Sequence, residues 1–473
     1  MSRTLVQLIY FTAYSLIFLV IGKLSFSEGD SLSKFFVGER KTDGRRLFFT
    51  FVGTWVSAAT ILGFTGNVYH NGTSVLATSV FPWFIGAGIL YAVSGRLYDN
   101  DIISIPELIR KKYDSRGLQA ASALLMIAAY IFYLVIQIKG FGIAASSLLD
   151  IDYKAAIFLV YLFILYSSFG GFNSVTKSDM LNLVMLSVSV GALYVYTMSR
   201  VEGAWILSGK SVAELIGRAG LFPESGEGPV VLITMFFGWG MGLAANPQYM
   251  IRIVAAKDKK TARRTILAAL VFLAMLYFAL TQIGLGLRVL FPQLRTYCSA
   301  DDVFVYAVSH LMYSPFSGFF LISVIGACVS TANSQLLLIG SMLSYDVVGQ
   351  YMKKKPDEDK ILFYARIFIF AGGTAALFLS VNPPADVLSF GASVWGVFSA
   401  VLAPIIYGGL YQRRPSKRGA YAAFAVGLLS SALFLYMRTR LYWAFLATVC
   451  STAAYFLVTF FEQRGEDVHE SAV

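Results

Sequence analysis

The chain has 473 residues, of which 57% are hydrophobic and 14% are charged, and its formal net charge is +11. A soluble globular protein carries about 25% charged residues, so this composition excludes a soluble enzyme. The charged residues lie in short clusters, and residues 47–95 and 303–345 contain no Asp, Glu, Lys or Arg. Because an apolar helix of ~20 residues crosses a bilayer, the sequence predicts an all-α polytopic membrane protein.

Charge-free runs predict about thirteen transmembrane helices. In chain order the predicted spans are 5–23, 47–68, 74–95, 120–149, 154–170, 178–199, 229–250, 265–287, 316–345, 363–381, 386–411, 419–437 and 441–461. Residues 1–46 form a peripheral first helix with its loop, and residues 412–473 form two peripheral spans with a short tail. We expect no separate soluble domain.

The distribution of Lys and Arg predicts the orientation of these spans. One set of alternate connections, with the tail and Arg366, holds 27 Lys and Arg residues, and the other set holds nine. Positive charge stays on the cytoplasmic side, so the N-terminus is expected outside and the C-terminus in the cytoplasm. The expected location is the plasma membrane, or the inner membrane of a bacterium. A single miscounted span would invert everything downstream of it.

Two spans carry residues that interrupt a helix. The second contains Gly53, Gly63 and Gly66, and the seventh reads Gly-Trp-Gly-Met-Gly-Leu-Ala-Ala-Asn-Pro-Gln over 238–248. Inside a bilayer, freed backbone groups are tolerated only where protein or a water-filled cavity satisfies them. Half-helix ends can then bind ions and polar solutes. Close packing or a plain kink is the alternative explanation for either helix alone.

The positions of the two interrupted helices predict an internal repeat. Spans two to six (47–200) and spans seven to eleven (229–411) each begin with an interrupted helix, and the external loop 201–228 separates them. Since five is odd, the second set enters the membrane from the opposite face. A five-plus-five inverted repeat is typical of secondary transporters, which bind solute and ion near the midplane.

Small and hydroxylated residues follow one face of the ninth span. Ala327, Ser330, Thr331 and Ser334 have the spacing i, i+3, i+4, i+7, which places them on one side of a helix. Hard cations bind oxygen ligands, so hydroxyls and carbonyls are suited to a monovalent ion. Helix packing and hydrogen bonds within the helix are the alternative.

These segments together resemble the sodium/solute symporter family, whose members carry proline, pantothenate, sugars, sialic acid or monocarboxylates. The resemblance runs from about Lys34 to Val348. It is carried by Phe35-Phe-Val-Gly-Glu-Arg, Trp55–Gly66, Gly170-Gly171 with Asp179, Trp239–Arg252, and Ser330-Thr-Ala-Asn-Ser-Gln with Asp346. It implies a LeuT-like fold, sodium as the coupling ion and no organic cofactor.

The resemblance also implies a sodium site between spans two and nine. Its ligands would be the backbone carbonyls of Ala58, Ile61 and Ala327 and the hydroxyls of Ser330 and Thr331. Some amino-acid carriers of the family have an acid at the break of span two, and this chain has Ala58-Ala59-Thr60 instead, which excludes a carboxylate ligand there.

The resemblance also implies a second role, in which Asp179, near Ser334, lines a second ion site or the exit path. Pairing of Asp179 with Lys177 at the membrane surface is the alternative. The two residues are close neighbours at the entry of span six.

A lysine within the fourth span suggests how the solute is bound. An intramembrane charge is by default a functional site, so Lys139 could pair with a carboxylate of the solute, unless it extends to the membrane surface or a wet vestibule. A lysine without an intramembrane acid favours a carboxylate or amino acid over a sugar. The other predicted pocket residues supply amides, hydroxyls and one indole; they are Thr65, Gly66, Asn67, Tyr69, Gln137, Trp239, Asn246 and Gln248.

The predicted function is sodium-coupled symport of a small organic solute by alternating access. A proton-coupled symporter of a similar solute and a transport-like sensor are the alternatives. The expected partners are the solute, sodium and the lipid bilayer. We expect no nucleic-acid partner, because the basic residues follow the topology, and no obligate protein partner. We also expect no membrane-embedded enzyme, because no catalytic constellation appears in the sequence.

Overall fold

A computed structural model describes residues 3–25, 31–159, 170–201, 229–352, 357–383 and 386–470, and these residues are predominantly helical. In chain order the first helices are α1 (Arg3–Ser25), α2 (Leu32–Val37), α3 (Gly44–Trp55), α4 (Ala59–Asn71), α5 (Leu76–Tyr98), α6 (Ile105–Tyr113), α7 (Arg116–Leu149), α8 (Gly171–Arg200) and α9 (Pro229–Ala244). The remaining ones are α10 (Pro247–Ala255), α11 (Lys259–Leu290), α12 (Ala300–Tyr306), α13 (Ser317–Tyr351), α14 (Glu358–Ser380), α15 (Val387–Tyr411), α16 (Lys417–Met437) and α17 (Trp443–Glu470).

Ten of the described helices are long and apolar enough to cross a membrane, and there are eleven when the bent pair α3 and α4 counts as one span. The predicted seventh span is divided into α9 and α10, which have 16 and 9 residues. Most of the predicted fifth span and nearly all of the loop 201–228 lie outside the described residues. A multi-pass helical membrane protein is therefore confirmed, and the number thirteen stays a prediction.

Polar side chains cap the N-termini of four helices at one end of the bundle. The side chains of Asp43, Ser104, Ser115 and Asp258 each accept a hydrogen bond from a backbone N–H in the first turn of the helix that follows. Such caps satisfy donors that have no partner within the helix. The hydrogen bond from Thr261 holds the pKa of the Asp258 carboxyl below its ordinary value.

Three connections meet at this end, which we call the basic end because most Lys and Arg residues flank it. The Arg40 guanidinium donates hydrogen bonds to the carbonyls of Tyr98 and Val254, at 2.7 and 3.2 Å. Backbone hydrogen bonds join Thr42 to residues 255 and 257. The chain before α3, the end of α5 and the end of α10 are thereby connected.

The long helix α13 lies at the centre of the bundle. It is buried along almost its whole length, and it packs against α7, α8 and α14. The interrupted helices approach this core from the side, because α3 packs on α8 and α13, and α9 packs on α5 and α15. The pair α16 and α17 pack mainly on each other at the periphery. A buried, polar-faced α13 thus lies beside the first helix break.

Candidate functional site

The first interruption lies between α3 and α4. Helix α3 ends at Trp55, Val56 is extended (φ −77°, ψ 112°), and the two helices are bent by 58°. The last carbonyls of a helix have no partner within it and carry the negative end of its dipole. The end of α3 therefore presents oxygen atoms that favour a cation.

The second interruption lies between α9 and α10, as the Asn-Pro pair predicts. Asn246 is extended (φ −83°, ψ 120°), and its Oδ1 accepts hydrogen bonds from the Gln248 N–H at 2.9 Å and from the Tyr130 hydroxyl at 2.6 Å. Pro247 begins α10, where its missing N–H removes no helical hydrogen bond. Asn246 thus holds the break in place as a helix cap.

The hydroxyls of α13 point at the end of α3. Ser330 Oγ lies 2.9 Å from the Gly53 carbonyl oxygen, and Thr331 Oγ1 lies 3.4 and 3.3 Å from the carbonyl oxygens of Thr54 and Val56. The sequence indicated these hydroxyls, but not the carbonyls that face them, because only the structure shows where α3 unwinds.

A cavity of about 10 Å³ lies at this contact. Its lining is formed by residues of α3, α8 and α13 and by the break, namely Gly53, Val56, Asn182, Leu183, Leu186, Ala327 and Ser330. A cavity of this size holds one water molecule or one small ion. The Gly53 carbonyl and the Ser330 hydroxyl supply oxygen atoms as ligands, which a hard cation prefers. Among the predicted ligands, Ala327 and Ser330 line this cavity, and Thr331 faces the same turn of α3. Ala58 and Ile61 are buried on the α4 side of the break and do not line it.

Asp179 lies beside this cavity and is fully buried. Its carboxylate accepts hydrogen bonds from the Thr50 hydroxyl at 2.6 Å and from the Ser330 hydroxyl at 2.5 Å. The neighbouring Lys177 is exposed. The alternative of an Asp179–Lys177 pair at the membrane surface is therefore wrong, and Asp179 reaches the predicted ion site through Ser330 rather than Ser334.

A buried arginine, which the sequence-based site omitted, completes a ring of hydrogen bonds. Arg252 on α10 donates to the Thr50 carbonyl at 3.0 Å and to the Ser334 hydroxyl at 2.6 Å. Ser334 in turn donates to the Ser330 carbonyl at 3.1 Å. The ring therefore joins Arg252, Thr50, Asp179, Ser330 and Ser334, and it lies between the small cavity and the basic end. The sequence feature that could have identified Arg252 is its charge within the Trp239–Arg252 motif.

Two predicted solute residues instead contact the backbone of the first break. Gln248 Nε2 donates to the Thr54 carbonyl at 2.9 Å and lies 2.7 Å from the Thr54 hydroxyl. Gln137 Oε1 accepts a hydrogen bond from the Ala58 N–H at 3.1 Å. Both amides therefore satisfy backbone groups that the unwound segment frees, which ties α7 and α10 to the break.

The predicted residues of α4 divide between two surroundings. A Cβ atom at Gly66 would lie 1.6 Å from the Ala300 carbonyl oxygen, so α12 packs directly on this glycine. The Tyr69 hydroxyl donates to the Phe291 carbonyl at 2.7 Å, beneath the connection after α11. Thr65 is fully buried, whereas Asn67 lines a larger cavity of about 440 Å³.

An aromatic cluster separates that larger cavity from the breaks. The Trp239 ring centroid lies 4.9 Å from that of Trp83 and 4.8 Å from that of Trp395, and Tyr249 lies 5.6 Å from Trp395. In the described residues, Trp395 Nε1, Tyr249 OH and Gln137 Nε2 are buried polar atoms without a hydrogen-bond partner. Buried polar atoms normally have partners, so these three atoms mark where a polar solute or water would bind.

Lys139 forms an ion pair within the fold. Its Nζ lies 2.7 Å from Asp301 Oδ2, and the Asp301 carboxylate also accepts hydrogen bonds of 3.1 and 3.2 Å from the Val387 N–H. Burial raises the pKa of the Asp301 carboxyl, and the Lys139 ammonium opposes that rise. The pair joins α7, α12 and α15 at the end opposite the basic end. Lys139 favours an anionic solute only if no acid lies beside it in the membrane, and Asp301 supplies such an acid.

Comparison with known proteins agrees with this geometry. The model of the sodium:solute symporter family matches residues 35–427. The high-affinity proline transporter PutP of Bacillus subtilis is 24% identical over 86% of this chain and 88% of its own length. A sodium/proline symporter of Staphylococcus aureus is 23% identical over 89% of this chain and 84% of its own.

Solved structures share the fold. A sodium-coupled sialic acid symporter in a substrate-bound, outward-open state superposes with a TM-score of 0.80 at 16% identity, covering 96% of both chains. Mhp1, a nucleobase-cation-symport-1 family transporter in a closed conformation, gives 0.63 at 14% identity, covering 93% of this chain and 95% of its own. The predicted all-helical, LeuT-like fold is confirmed, and the five-plus-five inverted repeat stays a prediction. The chain belongs to the sodium:solute symporter family, and its activity is sodium-coupled symport rather than chemical catalysis.

Proposed function

We propose that the protein uses a sodium gradient to carry a small organic carboxylate or amino acid into the cell, with one sodium ion between α3 and α13. The observation that carries this proposal is the contact of the Ser330 and Thr331 hydroxyls with the carbonyls of Gly53, Thr54 and Val56. Sodium would replace those hydrogen bonds with oxygen ligands from both helices. Ala327 and, through the α4 side of the break, Ala58 and Ile61 complete the proposed set.

The proposed orientation places the basic end in the cytoplasm, with the N-terminus outside. Positive charge is retained on the cytoplasmic side. The membrane is the plasma membrane, or the inner membrane of a bacterium. A negative interior then adds ~2.3 kcal/mol per charge per 100 mV to inward sodium movement.

Coupling follows from the position of the ion. Sodium between α3 and α13 stabilises the arrangement in which the break and the solute pocket are formed, so each ligand raises the affinity for the other. Release into the cytoplasm requires α3 and α10 to separate from α13, which breaks the hydrogen-bond ring at Arg252. We propose that the helix bundle that contains α3 and α10 rocks against the bundle that contains α13, which alternates access to the two sides of the membrane.

The solute pocket is proposed beside the two breaks. The unpartnered polar atoms of Gln137, Tyr249 and Trp395 provide both donors and acceptors. The surrounding aromatic rings provide apolar area, so a small solute with a polar head and an apolar body fits. Asn246 and Gln248 shape the pocket by holding the backbone.

Uptake by purified protein in proteoliposomes tests this function. Carboxylates, amino acids and sugars are offered under an inward sodium gradient and, separately, under a proton gradient without sodium. Uptake of a carboxylate or amino acid that follows only the sodium gradient is the expected result. No sodium-driven uptake of any solute in the panel would contradict the proposal.

Proton coupling is the second candidate, because the carboxylates of Asp179 and Asp346 are both fully buried. Asp346 accepts hydrogen bonds from Ser104 and Gln119, each at 2.7 Å. Uptake driven by a proton gradient in sodium-free buffer, and lost in Asp179→Asn or Asp346→Asn, would favour this candidate over sodium.

A further inference from the structure

The larger cavity has a distinct charge pattern. It measures about 440 Å³ and lies at the end opposite the basic end, between α4, α5, α9, α11 and α15. Arg288 and Arg295 are its charged lining residues, and His70 is a third basic group. None of the described residues that line it is an Asp or Glu.

The two arginines have no acidic partner in the described part of the chain. Arg288 is half-buried and Arg295 is exposed, and neither takes part in an ion pair among the described residues. This contrasts with Arg40, which pairs with Asp101, and with Lys139, which pairs with Asp301. Guanidinium groups bind carboxylates through paired N–H donors.

Few other donors in the cavity are available to a ligand. Asn67 Nδ2 donates to the Gly63 carbonyl, Asn71 Nδ2 donates to Asn67, and the Ser389 hydroxyl donates to Asp386. His70 Nε2 has no partner in the described residues. The Tyr442 hydroxyl, which also lines the cavity, has no partner among these residues either, so recognition of a polar head group depends mainly on Arg288, Arg295, His70 and this hydroxyl.

The remaining lining is apolar. Trp239 forms part of it, together with Val75, Met235, Leu388 and Ala392. The volume falls in the range of small-molecule pockets, roughly 300–1,000 Å³. Trp239 also contacts the aromatic cluster that closes the path to the breaks. A ligand held here would lie next to the solute path.

We infer that this cavity is an entry site that selects small organic anions, namely carboxylates with an apolar body, which Arg288 and Arg295 bind before the solute reaches the helix breaks. The inference rests on the proposed function for the statement that the bound anion is the transported solute. The anion preference then comes from Arg288 and Arg295, and Lys139 is not its source.

Binding is tested on the purified full chain in sodium-free buffer, by the change in tryptophan fluorescence. The probes are propionate, pyruvate, benzoate and phenylacetate, each beside its neutral amide. We expect saturable binding of at least one acid, no binding of its amide, and weakening as ionic strength rises, because salt screens exposed charges.

Variants locate the site. Arg288→Gln with Arg295→Gln is expected to weaken acid binding by at least about tenfold, since charge-assisted hydrogen bonds are roughly twice as strong as neutral ones. Arg440→Gln is the matched control, because Arg440 is at the same end and lines an adjoining cavity, which shares Met235 and Tyr442 with this one, but does not line this cavity itself. Equal binding of acid and amide, equal affinity in the double variant, or no saturable binding of any acid would overturn the inference.

Transport separates the inference from the proposed function. The KM for sodium-driven uptake of a carboxylate is expected to rise by at least about tenfold in the double variant. A tenfold rise corresponds to a loss of about 1.4 kcal/mol of binding free energy. An unchanged KM overturns the inference and leaves sodium symport standing. Arginine-dependent binding without sodium-driven uptake of any solute supports the anion site and overturns the proposed function.

Discussion

Ser330 Oγ lies 2.5 Å from the Asp179 carboxylate, so a hydroxyl of α13 and a carboxylate of α8 meet where α3 ends. The same hydroxyl lies 2.9 Å from the Gly53 carbonyl oxygen. A cation at this point would be surrounded by a hydroxyl, a carbonyl and a nearby negative charge. The negative charge attracts sodium without being one of the five predicted ligands.

Gly53→Ala is expected to weaken sodium binding. A Cβ atom there would lie 3.0 Å from Asp179 Cβ and 3.1 Å from Ser330 Oγ, so α8 and α13 must move away from the end of α3. We expect a sodium affinity lower by at least about tenfold, because overpacking of a buried contact costs ~1–3 kcal/mol. Sodium-dependent thermal stabilisation of the purified protein measures it.

Gly191→Ala on α8 is the matched control for that variant, because no atom lies within 4 Å of its Cβ position among the described residues. It is expected to bind sodium like the wild type. A Gly53→Ala protein with wild-type sodium dependence would show that the close approach of α3, α8 and α13 does not set the affinity.

Arg252→Lys is expected to slow transport although it keeps the charge. The Arg252 guanidinium donates to Thr50, Gln248 and Ser334 at once, and an ammonium cannot reproduce this planar fork. Loss of one such hydrogen bond costs ~1.5–3 kcal/mol, so sodium-driven uptake should fall by at least about tenfold at equal amounts of protein in the membrane. The exposed Arg264→Lys serves as control, and equal uptake by both variants would remove Arg252 from the mechanism.

Lys139→Gln and Asp301→Asn are expected to lower the stability of the folded protein by similar amounts. Each variant leaves one charge of a partly buried pair without its partner, and breaking a fully buried pair costs ~3–5 kcal/mol, so the cost here lies below that value. The double variant should be more stable than the sum of the two single changes predicts. Thermal unfolding of the four proteins completes the cycle.

The same variants test whether Lys139 contacts the solute. Direct pairing with a solute carboxylate would raise the KM in Lys139→Gln and leave it unchanged in Asp301→Asn. The Lys139–Asp301 ion pair in the structure predicts equal changes of KM in the two variants. A selective effect at Lys139 would restore the solute contact expected from the sequence.

The two breaks are predictable from the sequence, because glycine and Asn-Pro act on the backbone locally. Val56 and Asn246 are extended where the motifs of spans two and seven predict an interruption. The hydroxyl face of α13 was likewise predictable from helical spacing. These features depend on residues within a few turns of each other, so one sequence contains all of the required information.

The partners across the bundle were not predictable in the same way. Asp301 lies 162 residues from Lys139, and Asn182 lies 168 residues from its hydrogen-bond donor Tyr14. The sequence left open whether Asp179 belongs to an ion site or pairs with Lys177 at the membrane surface, and the structure shows its carboxylate against Thr50 and Ser330. The size of the ion cavity depends on how three helices pack, which spacing within one helix does not specify.

Binding of radiolabelled Na+ to the purified protein tests the central claim most directly. The wild type and Ser323→Ala, whose hydroxyl bonds only within its own helix turn at Phe320, are expected to show the same saturable binding. Ser330→Ala with Thr331→Ala removes both hydroxyl ligands and should weaken binding by at least about a hundredfold, at ~1.5–3 kcal/mol for each contact to a charged group. Unchanged sodium binding in a double variant that remains folded would contradict the site between α3 and α13.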